Sequence, residues 1–374
     1  MNRGRLLVVG DPFFLARHRP LTRALAKRRD GVEELAVDEG VTPHEIAVLA
    51  GAFVTGRLWP PTRANAGLAR QRYRKTAARF ARMSERTAGA VAERSDVDLV
   101  LHVFSMASPA APAPAPPYAH YIDMTMAQVR RDWPPWAPFE NERAYAAWIA
   151  KEGATYRGAA RVFTFSEAAR RSVIEDYGAD PARVVAVGAA GFYNETDVRP
   201  RAYGNRTIVF NGSEFERKGG DRVLAAFRIV RARFPDASLT IVANDGIASE
   251  PGISLRGRVD RTALFEIFER TDVVLAPTRF DGFPGFVLEA MSRGVVPVLS
   301  DAEPMGEIVT DGVDGFVVSP PTPERLAATI VALFENPSSL GSLGAAARER
   351  VERDLNWDAV AARMLASLAR DSLL

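Results

Sequence analysis

The sequence predicts an α/β protein made of two similar domains, each built around a parallel β-sheet. Short apolar runs typical of buried strands alternate with helical patterns along the chain. The 374 residues exceed what one ordinary core needs and suit two domains. A polar stretch, 188–205, separates two rounds of this alternation, so we predict an N-terminal domain over 1–190 and a C-terminal domain over 191–355. Residues 356–374 are expected to form a terminal helix that packs back toward the N-terminal domain.

Hydrophobic periodicity places the elements of the N-terminal domain. Strands are predicted at 5–9, 98–104, 118–122, 161–165 and 183–187, helices over 20–29, 140–157 and 167–177, and one or two long basic helices over 63–94. Gly10-Asp11-Pro12 is interpreted as a turn, and five prolines between 107 and 117 predict an extended loop.

The same alternation restarts in the C-terminal domain. Strands are predicted at 207–211, 238–243, 273–276 and 295–299, and helices over 221–234, 262–269, 286–292, 322–334, 338–353 and 357–370. We expect a cleft between the two halves, because ligands of open α/β sheets bind beyond the carboxyl ends of the strands.

Composition excludes several classes of site. The chain has no cysteine, which rules out a disulfide scaffold, a thiolate metal site and a cysteine nucleophile. Its four histidines are widely spaced, and Asp96-Val97-Asp98 precedes a strand where a metal-binding Asp-x-Asp would follow one, so we predict no metal and no cofactor. Without a signal-like or membrane-spanning apolar run, the protein is expected in the cytoplasm.

One strand–loop–helix segment, 208–227, has the features of a diphosphate site. Arg217 and Lys218 stand beside two glycines, Gly219 and Gly220, at the start of a helix. Unpaired N–H groups and partial positive charge favour anions at such a helix end, and glycines let the backbone approach a phosphate. The same pattern also suits a solvated basic loop.

A second segment, from Asp281 to Glu289, follows a predicted strand and opens a helix. Its loop can present backbone N–H groups to phosphate, and a carboxylate in the following helix can accept both hydroxyls of a ribose. Two surface carboxylates that flank a turn would give the same sequence.

Together, these and further motifs resemble the donor-binding domain of family 4 glycosyltransferases, which have the GT-B fold. The resemblance covers about 205–360. In that family a Glu is followed, after seven residues, by Glu-Ala-Met and then by a Gly-x-Pro-Val strand. The matching motifs here are Arg217-Lys218-Gly219, Leu255-Arg-Gly257-Arg-Val259, Asp281 with Glu289-Ala290-Met291, Gly294-Val-Val-Pro297, Gly306-Glu307-Ile308, Asp311-Gly312 with Gly315, and Asn356-Trp357.

The resemblance implies a retaining glycosyltransferase with a nucleoside-diphosphate-sugar donor, most simply a UDP- or GDP-sugar. The implied donor-binding residues are Gly212, Arg217, Lys218, Gly257, Arg258, Val259, Asp281, Gly282, Phe283, Pro284, Gly285, Phe286, Val287 and Glu289. Arg217, Lys218, Asp281 and Asp123 are the expected catalytic residues. Asp281 stands where the family has Glu, one methylene longer, which alters the expected contact with the donor sugar.

The acceptor, a glycan, a lipid-linked glycan or a small molecule, is expected on the N-terminal domain. Gly10 takes the place of the family's glycine-rich loop. His102, His120 and Asp123 lie at predicted strand ends, which favours exposure to the cleft, although a hydrogen-bonded core histidine is an equal alternative. Ser166 is expected to cap the next helix.

Nine basic residues and one acidic residue, Glu85, lie within 57–86. Beside Trp59, Leu68, Phe80 and Met83 they suggest peripheral contact with an anionic membrane, or else a solvated basic face. No nucleic-acid motif accompanies the charge. Two other functions remain open for the whole chain: an epimerase or phosphorylase of the same fold, and a nucleotide-sugar-binding protein without transferase activity.

Overall fold

The computed structural model describes residues 5–38, 43, 46–47, 50, 62–94, 96–110, 115–191, 201–243, 246–248 and 250–374. The chain divides into two compact units, Met1–Val187 with Ala361–Leu374, and Gly188–Val360. Each unit contains a six-stranded sheet in which the paired strands run parallel. The two-domain α/β architecture predicted from the sequence is confirmed.

The sheet of the first unit has the order β2-β1-β3-β4-β5-β6. Its strands are β1 (Arg5–Gly10), β2 (Val32–Ala36), β3 (Val97–Val103), β4 (Tyr118–Ile122), β5 (Arg161–Thr164) and β6 (Val184–Ala186). The helices are Pro12–Arg28, Arg63–Arg74, Ala77–Ala92, Met126–Asp132, Glu142–Gly158 and Glu167–Glu175, with short 3₁₀ turns at Pro134–Trp136 and Pro181–Arg183. The central strands are apolar and buried, as expected for a parallel sheet covered on both faces.

The sheet of the second unit has the order β12-β11-β10-β7-β8-β9. Its strands are β7 (Thr207–Asn211), β8 (Ser238–Val242), β9 (Ile253–Arg256), β10 (Val273–Ala276), β11 (Val296–Ser300) and β12 (Phe316–Val318). The helices are Gly220–Arg233, Arg261–Glu269, Gly285–Ser292, Met305–Ile308, Pro323–Glu335, Pro337–Arg353 and Trp357–Arg370. Two apolar clusters fill this unit, and Val223, Phe227 and Val230 of the first helix belong to one of them.

The last helix continues into the first unit. From Ala361 onward its residues belong there, where Arg363 Nε donates to the carbonyl of Val187 at 2.8 Å. Arg161 Nε donates to Ser367 Oγ at 3.3 Å, and the Arg161 guanidinium also pairs with Asp371.

One helix begins earlier than predicted. The expected start at 20 is wrong, because the helix runs from Pro12 to Arg28 with Asp11 as its N-cap. Pro12 occupies the first turn of the helix, where its missing N–H costs nothing. Gly10-Asp11-Pro12 therefore leads from β1 directly into this helix and does not form a separate turn. Pro20 lies inside this helix.

The sequence pattern missed mainly edge and short elements. β2, β9 and β12 are absent from the prediction. All three are edge strands: β2 and β9 have exposed residues, and β12 has only three residues. Of the one or two basic helices predicted over 63–94, the structure has two, separated by Lys75 and the N-cap Thr76. Ser166 caps its helix as expected, since its Oγ accepts from Ala169 N at 3.1 Å.

Candidate functional site

The loops after β7 and β10 emerge next to each other in the second unit. β7 and β10 are neighbours in the sheet, and the chain leaves them in opposite directions along it, toward β8 and toward β11. Ligands of open parallel sheets bind at such a switch point, outside the carboxyl ends of the strands. The predicted donor residues from Gly212 to Lys218 and from Asp281 to Pro284 occupy these two loops.

Lys218 lies in the β7 loop, one residue before the glycine that caps the following helix. Its Nζ donates to Ser213 Oγ at 3.0 Å, and Ser213 is held in turn by Asn211 Oδ1, which accepts from its backbone N at 3.0 Å and from its Oγ at 2.7 Å. Gly212 N donates to Val242 O at 2.8 Å, which ties the loop to β8. The ammonium group thus stands beside a neutral hydroxyl at the N-terminal end of the helix Gly220–Arg233.

Arg217 is buried, with 4% of its surface exposed. Its Nε and Nη2 each donate to the carboxylate of Glu214 at 3.2 Å. Its Nη1 donates to Phe280 O at 2.5 Å and to Asp281 Oδ2 at 3.1 Å. The predicted neighbours Arg217 and Lys218 therefore face different surroundings, because Arg217 is enclosed by two carboxylates.

Backbone contacts fasten the β7 loop to the β10 loop. Arg279 N donates to Arg217 O at 2.8 Å, and Thr278 Oγ1 donates to the same oxygen at 3.2 Å. Gly219 has a φ of 76°, and a Cβ there would stand 2.2 Å from Pro277 O. Only glycine fits this position, because both the left-handed backbone and the close approach exclude a side chain.

Glu289 lies in the helix that follows the β10 loop and is 4% exposed. Its Cγ lies 2.9 Å from the place where a Cβ on Gly191 would be. Gly191 O accepts a hydrogen bond from Trp357 Nε1 at 2.8 Å. The predicted ribose carboxylate is thus packed against a glycine whose backbone is held by the tryptophan of the terminal helix.

The other predicted donor residues also follow strand ends of this sheet. Gly257, Arg258 and Val259 follow β9, and Gly257 O accepts from Ala243 N at 3.0 Å. Arg258 is exposed, while Val259 packs against a core cluster. Of the β10 loop and its helix, Phe283 and Phe286 pack against the same cluster, and Val287, Gly282 and Pro284 are buried. Gly285 begins the helix.

A pocket lies at the corresponding switch point of the first unit, where β1 and β3 are neighbours. Gly10 and Asp11 at the end of β1 line it, together with His102 near the end of β3. Arg74 and Arg79 supply positive charge, and the remaining walls are mainly apolar: Phe14, Val37, Met83, Val103, Met106 and Ala107, with Thr87. Gly10 and His102, two of the predicted acceptor residues, thus line one cavity.

The exposure that the strand ends favoured for His102 and His120 is not observed: they are 4% and 0% exposed, in agreement with the alternative of core histidines. Both strands are covered on two faces, so a residue within the strand is buried even close to its end. His102 Nδ1 donates to the carbonyl of Phe104, and burial lowers the pKa of His102 to about 4. Burial also lowers the pKa of His120, whose ring packs against the His102 ring with centroids 5.3 Å apart. Both imidazoles are neutral near pH 7.

Asp123 follows β4 and is partly exposed, and its Oδ1 accepts from Met124 N at 2.8 Å. The discounted Asp96 and Asp98 lie at the opposite, amino end of β3, where Arg5 donates to both carboxylates. Sequence reasoning missed Ser213 and Gly191. Ser213 is five residues before Lys218, a spacing that a loop–helix turn brings together, whereas no local signal connects Gly191 with Glu289.

Two parallel six-stranded sheets in separate units define the class of this protein as the GT-B fold. Sucrose-phosphate synthase from Thermosynechococcus elongatus has this fold, with a TM-score of 0.69, 16% identity and 98% of each chain covered. The structure of an Anabaena protein in complex with UDP and glucose is similar as well, with a TM-score of 0.64 and 12% identity. The match covers 98% of this chain and 100% of that chain.

Residues 205–336 match the family described as "Glycosyl transferases group 1". The resemblance to family 4 glycosyltransferases expected from the motifs is confirmed. A phosphatidyl-myo-inositol mannosyltransferase of Mycolicibacterium smegmatis is 31% identical over 213 residues, 54% of each chain. A glycogen synthase of Mycobacterium tuberculosis is 25% identical over 260 residues, 66% of this chain and 61% of that protein. The chain thus spans little more than half the length of these relatives.

Proposed function

We propose that this protein is a retaining glycosyltransferase that takes its sugar from a nucleoside-diphosphate donor bound to the second unit. The observation that carries the proposal is the meeting of the β7 and β10 loops at one switch point, within the segment that matches the glycosyltransferase family. Lys218 stands on one loop and Asp281 on the other, and Glu289 lies in the helix that the second loop opens.

Lys218 stabilises the leaving diphosphate. Breaking the bond between sugar and diphosphate places negative charge on the leaving oxygen, and the Lys218 ammonium and the helix N-terminus at Gly220 are suited to receive it. A positioned donor of this kind lowers the barrier by about 3 kcal/mol. The leaving phosphate then takes the acceptor proton, and the sugar is transferred on the face from which the diphosphate departs.

The donor is a UDP- or GDP-sugar, and its ribose is bound by Glu289. Relatives and structural neighbours include a GDP-mannose-dependent mannosyltransferase of Corynebacterium glutamicum and the Anabaena protein with UDP and glucose. A buried carboxylate suits both bases, because it accepts from the ribose hydroxyls that the two nucleotides share.

The acceptor is a glycan, a lipid-linked glycan or a small molecule that enters the pocket at the end of β1 and β3. Gly10 brings the chain close to β3 there, since a Cβ on it would lie 3.2 Å from Val103 O. Neutral His102 offers a polar group within mainly apolar walls. Asp123, at the end of the next strand, is the carboxylate proposed to face the acceptor.

The basic helices are proposed to hold the protein at an anionic membrane surface by charge alone. Phe80 and Met83, expected on this face, are in fact buried at 3% and 5% exposure, and Phe80 packs against Trp148. Their helix faces the core, so they insert into no bilayer. Trp59 lies outside the described residues. No helix among the described segments is both long and apolar enough to cross a bilayer.

Exposed arginines in these helices include Arg70, Arg74 and Arg86. Flotation with vesicles containing anionic lipid tests their role. The wild type is expected to float at low salt, and Arg70→Gln/Arg74→Gln/Arg86→Gln is expected to remain at the bottom. Absence of wild-type flotation at low salt contradicts membrane contact.

A thermal-shift screen with UDP, GDP, ADP and TDP and their sugar conjugates tests the donor proposal. One nucleotide is expected to raise the melting temperature of the wild type, because binding to the native state adds to its stability. Lys218→Ala should lose that rise and keep the melting temperature of the unliganded protein, whereas Lys151→Ala, in a helix of the first unit, should keep the rise. No shift with any nucleotide contradicts the proposal.

A further inference from the structure

The guanidinium of Arg217 is fully engaged with the protein around it. Its three nitrogens reach the carboxylate of Glu214, the carboxylate of Asp281 and the carbonyl of Phe280 at distances from 2.5 to 3.2 Å. Its side chain is 5% exposed, against 47% for Glu214 and 16% for Asp281. A phosphate of the proposed donor cannot reach this buried cation without displacing one of the two carboxylates that it holds.

Charge leads to the same assignment. Two carboxylates enclose the one positive charge of Arg217, so the group as a whole carries no surplus positive charge for a diphosphate. Lys218, the next residue, donates to the neutral hydroxyl of Ser213. Of the two cations, the proposed function therefore assigns the diphosphate to Lys218, at the N-terminal end of the helix Gly220–Arg233.

What Arg217 does is connect the two loops of the site. Through Nη1 it holds both Phe280 O and Asp281 Oδ2, at the point where the β10 loop turns toward the helix of Glu289. A guanidinium is suited to this because its rigid fork fixes two acceptors at once. Arg279 also bridges the loops, since its guanidinium donates to Glu216 O at 2.6 Å and to both oxygens of Asp221.

We propose that Arg217 is a positioning residue: it fixes Asp281 and the β10 loop for the donor sugar, and Lys218 alone of the pair meets the diphosphate. This inference rests on the proposed function. It also accounts for aspartate at position 281, because the shorter side chain places its Oδ2 3.1 Å from Arg217 Nη1. The sugar contact of Asp281 then depends on Arg217, whereas nucleotide binding does not.

A double-mutant cycle tests the proposal. Arg217→Gln, Asp281→Asn and the double variant are compared with the wild type in two measurements: affinity for UDP and GDP by titration calorimetry, and kcat/KM with the corresponding sugar nucleotide. We expect Arg217→Gln to keep nucleoside-diphosphate affinity within about threefold and to lower kcat/KM at least about tenfold. The double variant should be no worse than the worse single variant, since coupled residues are not additive.

Arg279→Gln is the matched control, because it removes the other arginine between the loops. Its effect on kcat/KM is expected to multiply with that of Asp281→Asn. Loss of nucleoside-diphosphate affinity in Arg217→Gln equal to that in Lys218→Ala would overturn the positioning role, as would multiplicative effects of Arg217→Gln and Asp281→Asn. If Arg217→Gln lost nucleoside-diphosphate affinity and Arg217→Lys restored it, residue 217 would be a cation that binds the phosphate directly, which would also overturn the positioning role.

The cycle separates this inference from the proposed function. A wild type that binds neither UDP nor GDP overturns the proposed function itself. If the wild type binds a nucleotide and Lys218→Ala weakens that binding, the coupling between Arg217→Gln and Asp281→Asn tests the role of Arg217 separately. Should Arg217→Gln fail to fold, Glu214→Gln replaces it, because Glu214 is half-exposed and holds the other side of the same guanidinium. Additive effects of Glu214→Gln and Asp281→Asn then contradict the proposal.

Discussion

Gly191 lies against Glu289 so closely that a methyl group on it would stand 2.9 Å from Cγ of the glutamate and 3.5 Å from its backbone N. The Gly191 carbonyl is fixed by Trp357, which is 1% exposed. The backbone beside the proposed ribose carboxylate is therefore held in place. The residue there is glycine because a larger side chain would overlap with Glu289.

Gly191→Ala is predicted to weaken nucleotide binding through Glu289. The new methyl group has to push Glu289 aside, and a shifted carboxylate loses part of its contact with the ribose. We expect about a tenfold loss of nucleoside-diphosphate affinity, which corresponds to roughly 1.4 kcal/mol. Titration calorimetry measures it. Gly306→Ala is the control, because a Cβ there meets nothing within 4 Å, and equal affinity in both variants would refute the prediction.

Glu289→Ala is predicted to lower nucleotide affinity more than Gly191→Ala does, since it removes the carboxylate altogether. Each lost hydrogen bond to a charged acceptor costs about 1.5–3 kcal/mol. Affinities for UDP or GDP should fall, and those for inorganic diphosphate, which lacks a ribose, should not. A proportional fall with inorganic diphosphate would mean that Glu289 acts on the phosphates or on the fold.

Glu152→Ala is predicted to destabilise the first unit strongly. This carboxylate is 2% exposed and accepts from Tyr177 OH at 2.6 Å, Tyr156 OH at 2.9 Å, Ser105 Oγ at 3.1 Å and Trp148 Nε1 at 3.2 Å. Its removal leaves several buried donors without their acceptor, at a cost of about 3–5 kcal/mol in the free energy of unfolding.

Urea unfolding measures this loss. Ser105→Ala removes one of the donors and is expected to cost only about 1 kcal/mol. If Glu152→Ala lowers the free energy of unfolding no more than Ser105→Ala does, the buried Glu152 carboxylate does not stabilise the first unit through its several hydrogen bonds.

Acid is predicted to destabilise the protein through its buried histidines. Burial lowers the pKa of His18 and of His102 from 6.5 to about 4. Between pH 6.5 and 4 the unfolded chain binds protons that the folded chain does not, so stability falls as the pH falls. The slope is about 1.4 kcal/mol per pH unit for each histidine.

His102→Gln isolates one of these contributions. Glutamine does not titrate, so the free energy of unfolding should change less between pH 7 and pH 5 than in the wild type. The comparison also removes the influence of Glu152, whose burial-raised pKa makes stability fall as the pH rises. An unchanged pH dependence in His102→Gln would show that His102 is not held neutral.

The central strands and most helices were predictable because their periodicity is strong. The strands at Tyr118–Ile122, Thr207–Asn211 and Val273–Ala276 and the last helix, Trp357–Arg370, have the predicted bounds. Edge strand β2 could not be predicted, because its sequence Val-Glu-Glu-Leu-Ala is half-exposed and has no continuous apolar run. Its pairing with β1 supplies the order that the local pattern lacks.

The sequence identified candidate site residues more readily than it identified their surroundings. Lys218, Asp281 and Glu289 were proposed for the site because they form ordered motifs at strand ends. The pairing of Arg217 with Asp281 joins residues that are 64 positions apart, and no local pattern contains it. The sequence left the burial of His102 and His120 undecided for a related reason, since it depends on the helices that cover both faces of the sheet.

In the proposed site the donor diphosphate lies on Lys218 and the donor ribose on Glu289. A crystal structure of the protein with UDP or GDP, whichever raises its melting temperature, tests this most directly. We predict a phosphate oxygen about 3 Å from Lys218 Nζ and the ribose hydroxyls at the Glu289 carboxylate. A nucleotide bound with its phosphates away from Lys218 and its ribose away from Glu289 would contradict the account.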